Sequence, residues 1–101
     1  GGLIHARSLR QAADQDRASR VRAIAGFLHA WRCEIGAHFD DEERMLLPLV
    51  HSPALRGRLL DDHGALRRLA EQCERDPEGV ASDAGLVCQI GIRLHDHIRW
   101  E

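Results

Sequence analysis

The chain has 101 residues, with 14 Lys+Arg against 16 Asp+Glu, 7 His, 3 Cys and no Tyr, which is room for one domain, residues 1–101, burying roughly 60–70% of its unfolded surface. The formal charge of −2 lacks the basic excess of a dedicated nucleic-acid binder; no apolar run nears the ~20 residues of a membrane span, and no signal-peptide pattern opens the chain. Cys33, Cys73 and Cys88 cannot all pair and form no CxxC, so reduced thiols in a cytoplasmic protein are expected, not a disulfide framework or a zinc ribbon.

A first helix runs from Leu3 to about Gln15, with His5, Leu9 and Ala12 on one face. Asp14, Asp16 and Ser19 mark the turn after it. The second is a long stripe over about eight turns: Val21, Ile24, Leu28, Trp31, Ile35, His38, Met45, Leu46 and Leu49. Ser52 then reads as an N-cap, with Pro53 at the first position of a third helix. That helix carries Leu55, Leu59, Leu60, His63, Leu66, Leu69, Ala70 and Cys73 and stops in the breaker cluster Arg75-Asp76-Pro77-Glu78-Gly79. A fourth starts near Ser82 or Asp83 and carries Leu86, Val87, Ile90, Leu94 and His97. The expected fold is all-α, an antiparallel up-down-up-down four-helix bundle.

Histidine is the outlier of the composition. His38 falls at the centre of the second stripe, and Glu42 follows four residues later on the same face. His97 and Glu101 repeat that spacing on the fourth helix. His5 precedes His38 by 33 residues and His63 precedes His97 by 34, so the chain reads His…His-x-x-x-Glu twice. In the expected bundle the two His-x-x-x-Glu pairs face each other across the core, and His5 and His63 complete a ring. Four imidazoles and two carboxylates are costly to bury without compensation. Two metal ions supply it, each taking two histidine nitrogens, with the glutamates and a water-derived oxygen bridging. Mixed imidazole and carboxylate donors suit iron or manganese; zinc prefers a four-ligand tetrahedron. Neither the His-Glu-x-x-His of a zinc protease nor the Glu-x-x-His of ferritin-like bundles is present.

His29, His51 and His95 read as surface residues. Leu59, Leu66, Ile35, Leu94 and Met45 are expected to line the site as a dry pocket. Glu34 and Arg93 stand one turn before His38 and His97, as an inward ion pair or as stripe-edge residues in solvent. Glu43 reads as a neighbour of the ligands or a surface residue, Trp31 and Trp100 as core and cover, and Cys73 as a small core residue. Cys33 and Cys88 fall off the stripes.

The segments His38-Phe39-Asp40-Asp41-Glu42-Glu43-Arg44-Met45-Leu46-Leu47-Pro48, Asp62-His63 and His97-Ile98-Arg99-Trp100-Glu101 resemble the hemerythrin-like, or HHE cation-binding, domain. The resemblance covers nearly the whole chain. It implies a non-haem, oxo- or hydroxo-bridged di-iron centre that binds or senses dioxygen, nitric oxide or iron. His5, His38, His63 and His97 would be terminal ligands, with Glu42 and Glu101 bridging. Oxygen-carrying members have two histidines four apart on the third helix; here Arg67 follows His63 at that spacing and Leu59 precedes it. That points to the six-ligand branch, which includes iron-sulfur repair proteins and iron sensors. The family pattern continues past Glu101, so a longer natural chain is expected.

Two alternatives remain beside this ligand-binding reading. One is a di-iron enzyme that decomposes peroxide or nitric oxide or repairs iron-sulfur clusters. The other is a metal-free four-helix interaction module. No nucleic-acid or membrane partner is expected; a small diatomic ligand is, and a homodimer is admitted by the shallow core.

Overall fold

A computed structural model of the protein describes residues 2–100, of Trp100 the backbone only. All its regular structure is helical: α1 Gly2–Ala13, α2 Arg17–Ala30, α3 Gly36–Leu46, α4 Pro53–Arg75, α5 Pro77–Ala81 and α6 Ala84–Trp100. The described chain extends over 45 × 21 × 21 Å. None of its helices is long and apolar enough to cross a membrane.

Local chemistry sets most boundaries. Asp16 caps α2 by accepting from the Ser19 N–H at 2.8 Å, and bonds from Ser19 hold its carboxyl below the usual range. Ser52 caps α4 and Pro53 opens it, as expected. Asp83 accepts from the Leu86 N–H at the start of α6. The breaker cluster after α4 does more than stop a helix. Asp76 accepts from the Gly79 N–H at 3.0 Å, and Pro77 occupies the first turn, so the same residues start the short α5.

The second expected helix contains an unforeseen feature. α2 and α3 form one rod joined by a π turn, Trp31–Ile35, in which the Gly36 N–H donates to the Trp31 carbonyl. A π turn holds one residue more than an α turn, so it sets all later side chains back by about 100°. Before it, Ile24, Phe27 and Leu28 are buried, in or beside the expected stripe. After it, Phe39 takes the central inward position at 2% exposure, while the His38 side chain is 60% exposed. The placement of His38 at the stripe centre is thereby corrected. Met45, Leu46 and Leu49 are also turned outward, at 65%, 46% and 70%, so Met45 does not line the site.

Named contacts fix how the rods lie. Arg32 meets Glu74 at 3.0 Å and Arg67 meets Asp40 at 2.8 Å, so α2–α3 runs against α4 in opposite directions. At the far end Arg20 donates to the Ala81 carbonyl at 2.6 Å and the Gln15 carbonyl at 2.7 Å, pinning the α1–α2 turn to α5. The core joins Leu9, Phe27, Phe39, Leu66, Val87 and Leu94 from five of the helices. α1 crosses α6 closely at Gly91: a Cβ there would lie 2.9 Å from the Ala6 carbonyl oxygen and 3.1 Å from the Arg10 nitrogen. Both are backbone atoms of a packed helix and cannot swing aside.

Two outcomes follow. Gly91→Ala should destabilise by about 1–3 kcal/mol through overpacking, seen as a lower Tm. Gly57→Ala, with nothing within 4 Å of the added methyl, should gain up to about 1 kcal/mol of helix propensity. Burial, reinforced by Glu74, pushes the Cys73 thiol up to about 11. At pH 8 only about 0.1% of it is thiolate, against roughly a quarter of an ordinary thiol. Exposed Cys33 should therefore react with a thiol reagent in the native protein, while Cys73 should react only at the rate of unfolding.

Candidate metal centre

Three side chains from three helices converge in the interior: Glu42 of α3, His63 of α4 and His97 of α6. All three are buried, and one donor atom from each lies within 4.8 Å of the others. The Nε2 atoms of His63 and His97 are 3.1 Å apart, and His63 Nε2 is 3.2 Å from Glu42 Oε2. Helix periodicity places His63 and His97 correctly on their inner faces. Glu42 arrives from the rotated α3.

An aromatic step holds the rings. Phe39 stacks on His63 with centroids 4.0 Å apart and planes 3° from parallel. It meets His97 at 66° and 4.9 Å, and its other side packs edge-on against Trp31. Truncating a buried phenylalanine of this kind to alanine costs about 3–5 kcal/mol. Of the residues expected to line the site, Ile35, Leu59, Leu66 and Leu94 are all buried.

Behind each imidazole stands a carboxylate. His63 Nδ1 donates to Glu43 Oε2 at 2.7 Å. The same oxygen accepts from Arg67 at 2.6 Å, and Arg67 also reaches Asp40. Burial alone would raise the Glu43 carboxyl, but the bonds from Arg67 and His63 outweigh it and hold it below the usual carboxylate range. Glu43 is therefore an acceptor, and the one proton of a neutral His63 sits on Nδ1. His97 Nδ1 faces Asp62 Oδ2 at 3.4 Å, so a carboxylate stands behind this ring as well.

The two Nε2 atoms face each other at hydrogen-bond distance, 3.1 Å, with a carboxylate oxygen of Glu42 beside them. Burial lowers the pKa of His63, and nearby His97 and Arg67 add to that against the pull of Glu43, so a second proton between the rings is disfavoured. The spacing also suits a metal ion. Donors about 2.1 Å from a common cation stand roughly 3.0–3.3 Å apart when their bonds are about 90–105° apart. Histidines whose second nitrogen donates to a carboxylate are the usual metal-ligating form.

The other candidates are placed as follows. His38 lies outside the three-residue group, yet its Nε2 reaches Glu42 Oε1 at 2.5 Å. Glu42 thus faces His63 with one oxygen and His38 with the other. His5 is half-buried on α1 against α2, where a Cβ on Gly26 would stand 3.6 Å from its Nδ1. Glu101 lies outside the described residues. Glu34 and Arg93 are exposed, as the solvent reading had it; so are His29 and His51, while His95 is half-buried beside Asp96. Periodicity overlooked Phe39, Asp62 and Arg67. Arg67 had a visible signal, since it stands one turn after His63 on the same face. A groove of about 250 Å³ between α4 and α6, walled by Arg58, Asp62, Arg93 and His97, opens the centre toward solvent.

Replacing Glu43 by Gln should keep the fold but weaken the hold on His63. A fall of about 10–100-fold in affinity for added Fe(II), measured against a competing chelator, is the expected outcome.

No curated protein and no solved structure is significantly similar to the chain. A family model, the hemerythrin HHE cation binding domain, matches residues 3–101. With a buried His/Glu cluster fit for a cation, the chain belongs to the hemerythrin HHE cation-binding domain family.

Proposed function

We propose that the protein holds a non-haem di-iron centre and uses it to bind or sense a small diatomic molecule, dioxygen or nitric oxide, or iron itself. The observation that carries this reading is the pair of carboxylate-anchored imidazoles whose Nε2 atoms face each other at 3.1 Å beside Glu42. His63 and His97 would hold one iron, and His38 and His5 the other. Glu42 and Glu101 would be shared. The two-sided placement of Glu42, one oxygen toward His63 and one toward His38, supports a bridging role. Manganese or zinc would meet the same donors. The four long rods are read as the up-down-up-down bundle, with α5 as an added turn, and residues 1–101 as one domain. Free Cys33, Cys73 and Cys88 support a reducing, cytoplasmic setting.

The protein's own groups divide the work. Glu43 and Asp62 hold the Nδ1 protons, so that both Nε2 atoms stay available. Phe39 fixes the ring planes. Leu59, Leu66 and Leu94 exclude water, which strengthens electrostatic interactions inside. The α4–α6 groove admits a small molecule to the His97 side. Bound iron would supply an open coordination position and redox reach for that molecule.

Anaerobic reconstitution with Fe(II) should load about two irons per chain. At a hundredfold excess over Kd, a ligand that binds only the folded state adds about 2.7 kcal/mol, which raises Tm by about 10–20 °C in a domain of this size. The paired substitution His63→Ala/His97→Ala and the single His38→Ala should each leave roughly one iron and a smaller shift. Loading of no iron would overturn the reading. Reversible spectral changes with oxygen or nitric oxide support binding; sustained consumption of either would move the protein to the enzyme class.

A further inference from the structure

Next to the groove at the metal centre, with which it shares Arg93, α4 and α6 leave a second open groove of about 520 Å³. Arg68 and Arg75 of α4 and Arg93 of α6 all line it, against one acidic residue, Glu71. A protein of net charge −2 thus concentrates three guanidinium groups on one concave surface. Among the described residues none of the three has an ion pair or hydrogen bond. Arg7, Arg10, Arg56 and Arg99, none of which lines this groove, are likewise without one among the described residues, while Arg17, Arg32, Arg44, Arg58 and Arg67 each meet a carboxylate. Arg75 is in the last turn of α4, where a cation offsets the helix dipole. That accounts for Arg75 alone, and not for Arg68 or for Arg93 on the facing helix.

The spacing says what would fit. Arg68 and Arg75 are seven residues apart, so they share one face of α4 about 10.5 Å apart along its axis. A short chain of phosphates spans that distance without folding the two side chains toward each other, and guanidinium forks match phosphate oxygens in two-point contacts. Leu69 gives the groove an apolar floor and Gln72 adds donor and acceptor atoms. The volume falls within the roughly 300–1,000 Å³ usual for small-molecule sites. We infer that the α4–α6 groove binds a small extended polyphosphate, the triphosphate moiety of a larger molecule or a free phosphate chain, through Arg68, Arg75 and Arg93. The site does not depend on what the metal centre holds.

Calorimetric titration of the full chain with sodium tripolyphosphate at low ionic strength tests it. Saturable binding of one tripolyphosphate per chain is expected, with orthophosphate at least tenfold weaker. The paired substitution Arg75→Ala/Arg93→Ala should weaken binding at least tenfold. The pair Arg7→Ala/Arg56→Ala, exposed arginines outside the groove, should change it less than twofold. Arg68→Ala alone serves the same purpose should the double variant fail to fold. Equal loss in the Arg7/Arg56 pair, or no saturation, would overturn the inference. Citrate binding as tightly as tripolyphosphate would overturn the phosphate assignment. Tighter binding of a single-stranded oligonucleotide would overturn the small-ligand class. A nucleoside triphosphate binding more tightly than tripolyphosphate would confirm the site and name the larger molecule as its source.

Discussion

Two buried imidazoles turn their Nε2 nitrogens toward each other across 3.1 Å inside an apolar core, beside the Glu42 carboxylate, and the neighbouring side chains are arranged to keep them there. The constraint is one of protons. A neutral His63 spends its one N–H outward on Glu43, and Asp62 stands behind Nδ1 of His97. In the opposite tautomer a His63 lone pair would meet the Glu43 carboxylate, which is worse than facing the other imidazole. Charging the ring instead is opposed by desolvation. Removing either rear carboxylate would let a proton move to Nε2 and so weaken the cation site.

Arg67 closes this logic from behind. A half-buried carboxylate next to a neutral histidine has some tendency to take up a proton and cease to be an acceptor. Arg67, itself held by Asp40, keeps Glu43 ionised with a 2.6 Å bond. The chain Asp40–Arg67–Glu43–His63 runs from surface to centre and links α3 to α4 three times over a few ångströms. The same groups that tune the imidazole also set the register of two helices, so stability and site geometry are coupled through one network.

The π turn at Trp31–Ile35 is the other structural decision. It sets α3 back by about one residue's rotation, which brings Phe39 under both imidazoles and turns His38 toward solvent. Glu42 lies at the edge of the resulting inner face, where one oxygen reaches inward to His63 and the other outward to His38. A continuous α-helix would point His38 inward and lose the aromatic platform. Gly36 accommodates the turn: its N–H donates to the Trp31 carbonyl, and a side chain there would crowd that oxygen at 3.1 Å.

Much of this was legible in the sequence because its cause is local. The helices at Ser52-Pro53 and Asp83 start where capping chemistry puts them, and Leu59, His63, Leu66 and Ala70 share a buried face because 3.6 residues make a turn. The histidine and glutamate motifs marked the family for the same reason, since they are short-range patterns along single helices. The rotation of α3 was not legible. It depends on one extra residue in a turn, which is settled by how Trp31 and Phe39 pack against other helices. Nor were Glu43, Arg67 and Asp62 identifiable as the partners behind the two rings, because those pairs join residues 20 to 35 positions apart. Periodicity within one helix says which face a residue is on, but only the docking of two helices decides which atom on the facing helix it meets.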